Sequence, residues 1–200
     1  MQSGNNSILM NREEKIRKMI DNRQEGIMVL EDIHDPHNAM AVVRSCEGFG
    51  IQKVYFVFEN EAEFDPKRIG MATSSSGNKW LSFKKFKTTA ECVAQLKKDG
   101  YEIWATVLDK EAKSLTKCKF EKRKMAIWMG NEHRGLSEEA VKAADRKVYI
   151  PMKGMVQSLN LSVAAGIILW ELTRQREDEG MEKFLIGEGE AEELRKKLRV

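Results

Sequence analysis

"GIMVLEDIHDPHNAMAVVRSCEGFGIQKVYFVF", residues 26–58, sets the fold class. Residues 26–33 form a short, mostly apolar run, which predicts a buried strand. Residues 37–50 change to helical spacing, with Ala39, Val42, Cys46 and Phe49 on one stripe and Gly50 just past the end. Residues 53–58 are apolar again after Lys53, as strands of a parallel sheet tend to be when helices cover both faces. A strand, a helix and a second strand in this close order make a parallel crossover unit.

The pattern continues outward. "FKKF" predicts a short extended piece, 88–100 an amphipathic helix and 101–108 a strand. Residues 124–130 predict another strand, 137–145 a helix with Ser137 as N-cap, and 147–151 a last strand. A long helix follows from about 161 to 177, and its run Val163–Trp170 reads as buried. The expected fold is therefore α/β, a mostly parallel sheet with helices on both faces. Charged helical pieces stand at the two ends, 11–23 and the tail from 187.

Composition fits one soluble domain. Of 200 residues, 42% are hydrophobic and 32% charged, and the net charge of +3 permits an anionic partner without requiring one. No secretory signal is visible at the start, and no apolar run approaches the roughly 18–20 residues that span a bilayer. Cys46, Cys92 and Cys118 are odd in number and widely spaced, which argues against a disulfide framework or zinc ribbon and for the reducing cytoplasm.

Ligand sites in open α/β sheets lie beyond the carboxyl ends of the strands, and three unusual turns fall there. In "HDPHNAMAVVRS", Asn38 reads locally as a helix cap and Arg44 as a solvated residue. His34 and His37 lack the further ligands a metal site needs, so no metal is expected. In "WMGNEHRGLSEEA", Gly130 and Gly135 bracket a polar loop that suits either a close ligand or a tight turn; it is neither a P-loop nor G-x-G-x-x-G. In "IPMKGMVQSLNLSVAAG", Ser158, Asn160 and Ser162 precede the buried helix. One of them can cap it, with Ser162 the favoured candidate, and at least one polar group is left spare for a site.

Together, "NAMAVVRSCEGFG", "GNEHRGLS" and "IPMKGMVQSLNLSVAAGIILWE" resemble, in order and spacing, the three motifs of the SpoU/TrmH family of SPOUT-superfamily RNA 2′-O-ribose methyltransferases. The resemblance covers about 26–175, while 59–87 carries no recognisable signature. It implies a C-terminal deep trefoil knot, a homodimer packed through the knot region and S-adenosylmethionine as methyl donor. The matching donor-site positions are Thr106, Gly130, Ile150 and Leu159; the matching catalytic positions are Asn38, Arg44, Glu132, Ser158 and Asn160. A guanidinium stays protonated, so Arg44 suits holding a phosphate and a forming alkoxide better than removing a proton; the proton acceptor is left open. Ser158 and Asn160 would then face the reaction.

The layout of the ends is similar to that of tRNA enzymes methylating a guanosine ribose in the D-loop, with rRNA as the rival substrate and a non-catalytic RNA binder as the rival class. Arg12, Lys15, Arg17, Lys18 and Arg23 at one end, and Arg195, Lys196, Lys197 and Arg199 at the other, offer phosphate contacts. A solvated helix face explains such charge runs equally well. The expected organisation is a charged extension over 1–24, a methyltransferase domain over 25–178 and a charged tail over 179–200.

Overall fold

The computed structural model of the chain describes residues 11–73 and 79–200, with side chains at 11–69 and 79–200; the first ten residues of the expected N-terminal extension lie outside them. The strands are β1 Gln24–Glu31, β2 Ile51–Val57, β3 Ser82–Phe86, β4 Glu102–Thr106, β5 Lys113–Ser114, β6 Met125–Met129 and β7 Arg146–Tyr149. The helices are α1 Arg12–Asp21, α2 Pro36–Gly48, α3 Pro66–Thr73, α4 Thr89–Lys98, α5 Glu138–Ala143, α6 Leu161–Glu179 and α7 Glu188–Leu198. The strands pair in parallel throughout, in the order β3-β2-β1-β6-β4-β7-β5.

Period-two alternation sends β1 side chains into two cores. Met28 and Leu30 join Ala39, Val42 and Cys46 of α2 and Ile168 and Leu172 of α6. Ile27 and Val29 face the other way, with Cys92 and Leu96 of α4 and Ala140 of α5. The three cysteines are buried and free, and burial pushes the Cys92 thiol up to about 12.

Three local expectations change. The cap of α2 is Asp35, not Asn38: its carboxylate accepts from His37 N at 2.8 Å, with Pro36 in the first turn. Proline has no N–H to satisfy and its φ fits a first helical residue, so the helix begins earlier and the Asn38 side chain is released. The cap of α6 is Asn160, not Ser162; its Oδ1 accepts from Ser162 N at 2.9 Å. The apolar run of α6 is not buried all round. Leu161, Ala165, Ile168 and Leu169 point inward, whereas Val163, Ile167 and Trp170 are 50%, 37% and 58% exposed, because a helix lying on a sheet covers only one stripe.

The two charged ends share a small core: Ile16 and Ile20 of α1 pack with Ile186, Ala191 and Leu194 around α7. The segment between β5 and β6 is tied to α6. Gln175 donates to Cys118 O and accepts from Phe120 N, both at 3.0 Å, and buried Arg176 donates to Lys122 O and Arg123 O.

Candidate active site

The turns after β1, β6 and β7 meet at the carboxyl end of the sheet. Asp32 closes the first with a left-handed backbone, φ 50°, and its carboxylate accepts from the N–H groups of Glu59, Asn60 and Glu61. Partial burial would raise its pKa, but these hydrogen bonds outweigh it and hold the carboxyl below its ordinary range.

The second turn closes on itself through Asn131 N to Gly135 O at 3.0 Å and Gly135 N to Asn131 O at 2.9 Å. Gly135 takes φ 71°, and a Cβ on Gly130 would lie 2.4 Å from the Gly135 carbonyl. Both glycines are thus needed for the turn itself. Asn131 Nδ2 donates to Asp32 O at 2.7 Å, fastening this turn to the first. Glu132 is thereby aimed at the start of α2, where it accepts from His34 N at 2.9 Å and Asn38 Nδ2 at 3.0 Å, with Asp35 N at 3.4 Å. Burial opposes ionisation of Glu132, but these donors prevail and its pKa falls. A carboxylate so stabilised is a weak base; it orients Asn38.

Asn38 passes the link on. Its Oδ1 accepts from Asn160 Nδ2 at 3.2 Å, while Asn160 Oδ1 caps α6. Asn160 therefore performs both tasks that the sequence reading divides between two residues. Glu132, Asn38 and Asn160 form one chain of hydrogen bonds across all three turns. Arg44 stands apart on α2, exposed, and its side chain makes no hydrogen bond or ion pair with any described residue. Ser158 also lacks a hydrogen-bond partner among the described residues and is exposed.

Beside this chain lies a cavity of about 140 Å³ lined by the ends of β4, β6 and β7 and the start of α6. Thr106, Ile150, Leu159 and Ser158 border it; Gly130 does not. Met129 also borders it, as do Met152, Gln157, Ala164 and Ile168, which lie within the third motif but are not among its matched site positions. Thr106 Oγ1 donates to Trp128 O at 3.0 Å, joining β4 to β6 at the rim. No charged side chain lines the cavity, so it suits an uncharged, planar group held by shape and main-chain polar atoms. The adenine end of S-adenosylmethionine fits that description.

Asp32 and Glu61, outside the three motifs, and Asn131, inside the second but not among its matched site positions, are further residues of the site. Glu61 pairs with Arg134 at 2.8 Å and with His34 at 3.3 Å, and the His34 and His133 rings lie 5.6 Å apart. The position of Asn131 within a glycine-bracketed loop is the one available signal. At the ends, Arg23 is buried against Glu47 and offers no surface cation, Arg17 is paired with Glu13 and Arg195 with Asp21, while Lys196 approaches Glu192 at 3.8 Å. Arg12, Lys15, Lys18, Lys197 and Arg199 are in no ion pair among the described residues.

Comparison with known proteins agrees with this geometry. Residues 25–170 match the SpoU rRNA Methylase family. The tRNA (guanosine(18)-2′-O)-methyltransferase of Aquifex aeolicus (strain VF5) is 36% identical over 175 residues, 87% of this chain and 81% of the relative. The Escherichia coli (strain K12) protein of the same description is 36% identical over 185 residues, 90% and 78% of the two chains. The crystal structure of the A. aeolicus TrmH/SpoU tRNA modifying enzyme superposes with a TM-score of 0.81 at 33% identity, covering 93% of each chain. The chain belongs to the SpoU rRNA Methylase family and is an S-adenosylmethionine-dependent RNA 2′-O-ribose methyltransferase.

Proposed function

We propose that the chain methylates the ribose 2′-hydroxyl of a guanosine in the D-loop of tRNA. The observation that carries this reading is the Glu132–Asn38–Asn160 chain beside an uncharged cavity at the strand ends. The curated relatives that act on guanosine 18 of tRNA supply the substrate class.

When bound, S-adenosylmethionine supplies an electrophilic methyl group. Thr106, Ile150 and Leu159 would hold its adenosine end, and Ser158, which also borders the cavity, would face the ribose. Asn38 and Asn160 fix the ribose side. In-line placement of the 2′-oxygen and exclusion of water do most of the work. Arg44, free of protein partners, binds the neighbouring phosphate and stabilises oxygen charge as the hydroxyl loses its proton; such a charge-assisted bond contributes about 1.5–3 kcal/mol.

Two further parts belong to this reading. The segment after β7 passes through the loop tied down by Gln175 and Arg176 to make the C-terminal trefoil knot. A homodimer forms through the same region and covers the exposed apolar side chains Val163, Ile167 and Trp170 of α6 and Met155 and Val156 of the preceding segment. We assign residues 25–178 to the methyltransferase domain, and 1–24 and 179–200 to charged extensions whose unpaired cations touch RNA. The protein works in the cytoplasm, where its substrate is.

The test is to incubate the enzyme with labelled donor and total tRNA or rRNA from a strain lacking it, then map the modified nucleoside. 2′-O-methylguanosine in the tRNA D-loop is expected. Label confined to rRNA overturns the substrate assignment.

A further inference from the structure

A second concavity lies at the other end of the same strands. It is an open groove of about 520 Å³ along the β4–β7–β5 edge. Glu102 and Trp104 of β4 and Arg146 of β7 form its floor, and β5 with the 117–122 segment forms its wall. Tyr149 and Ile150, at the far end of β7, belong to the donor cavity instead. Along β7 the groove lining ends at Lys147 and the donor-cavity lining begins at Val148.

The groove has surplus positive charge. Its lining includes Arg146 and Lys147, which are neutralised within the protein: Arg146 by Glu102 at 3.6 Å, Lys147 by Asp109 and Glu111 at 3.0 and 2.7 Å. Lys113, Lys117, Lys119 and Lys122 also line it, and none of them forms an ion pair with a described residue. Against these stand the carboxylates of Glu121 and Asp145, and Asp145 is engaged by Ile103 N at 2.8 Å.

The lysines stand on an ordered backbone. Leu115, Cys118 and Phe120 alternate with them and are buried, and the Phe120 ring lies 4.8 Å from that of Trp104. Gln175 and Arg176 bind the main chain at Cys118, Phe120, Lys122 and Arg123. A free charged loop would need neither anchor. Ordering the backbone in advance lowers the entropy cost when the lysines meet a partner.

We propose that this groove holds the phosphate backbone of the substrate RNA at a stretch away from the methylated nucleotide. It rests on the chain being an RNA methyltransferase. Four ammonium groups spread along an open groove match the repeated charges of a polyanion, and such contacts set register and affinity without reading sequence. The groove complements the chain ends, where Arg17 and Arg195 are already neutralised.

The test compares wild type with two variants of equal charge change. One carries Lys113→Gln, Lys117→Gln, Lys119→Gln and Lys122→Gln. The control carries Lys84→Gln, Lys85→Gln, Lys87→Gln and Lys142→Gln, none of which borders the groove. Binding of unmodified tRNA and of rRNA fragments is followed by fluorescence anisotropy across a salt series, and S-adenosylmethionine affinity by calorimetry reports correct folding. Removing one lysine–phosphate pairing lowers the log–log salt slope by about 0.9, so the slope should fall by up to about 3.6 in the groove variant and by less than about 1 in the control. A groove variant that binds donor normally and keeps the wild-type slope overturns the proposal. So does capture of polyglutamate by the groove with the RNA slope unchanged, which would assign it to an acidic protein. If wild type neither binds nor methylates either RNA, the substrate reading fails and takes the groove assignment with it.

Discussion

Gly130→Ala tests whether the second turn is a closed clamp. An added Cβ would sit 2.4 Å from Gly135 C and O and 2.5 Å from Leu136 N, about 1 Å inside ordinary contact with backbone atoms. Neither side has a flexible tip to swing away. The turn must open, which breaks one or both hydrogen bonds between Asn131 and Gly135. Overpacking costs about 1–3 kcal/mol and two broken hydrogen bonds about 0.5–1.5 each, so stability falls by roughly 2–6 kcal/mol. A shift of about 1 Å also carries Glu132 away from His34 N and Asn38, and misplacement on that scale lowers kcat/KM by about 100-fold. Urea melts give the first number and methyl incorporation into tRNA the second. Gly135→Ala is the internal contrast: its φ of 71° is strained for alanine, but no atom lies within 4 Å of the new Cβ. It should cost about 1–2 kcal/mol. The reasoning fails if Gly130→Ala melts like wild type with kcat/KM within threefold, or if Gly135→Ala is the worse of the two.

Arg44→Ala should lower kcat/KM by about 10- to 150-fold while S-adenosylmethionine affinity stays within about threefold, since Arg44 does not line the donor cavity; near-normal turnover would remove its assigned role. Asn160→Asp keeps the acceptor for Ser162 N but loses the donor to Asn38, so melting temperature should hold while kcat drops; Asn160→Ala should lower both, by about 1 kcal/mol in stability. Equal activity of Asn160→Asp and wild type would show that the bond to Asn38 is dispensable. Because the folded-state pKa of Glu132 is depressed, its contribution to stability is complete above the ordinary glutamate pKa and is lost as pH falls through the folded value. Glu132→Gln should therefore flatten the acid limb of a stability profile taken between about pH 3 and 6, and an unchanged limb would count against the clamp.

Much of the fold is legible locally. The spacing of Ala39, Val42 and Cys46 forecasts the buried face of α2, and Ser137 caps α5 as expected, accepting from Ala140 N at 3.1 Å. Such features depend on neighbours a few residues away. The piece at 113–114 has no strand signal, because two residues carry no periodic pattern and exist as β5 only through pairing with β7. Sequence misplaces the caps of α2 and α6 by two or three residues, since several side chains there can accept a hydrogen bond and the backbone path chooses among them.

Spacing and residue type were enough for the α/β class, for the positions of the three turns and, through the resemblance of their motifs, for the chemistry. These are local properties, and they survive without coordinates. Folding alone established that Glu132 binds Asn38 and that Asn38 binds Asn160, across separations of 94 and 122 residues. It also left the Arg44 side chain without a partner among the described residues and gathered four lysines in no ion pair on one groove. Those outcomes depend on which strand ends become neighbours, and parallel pairing brings together residues that no local pattern connects.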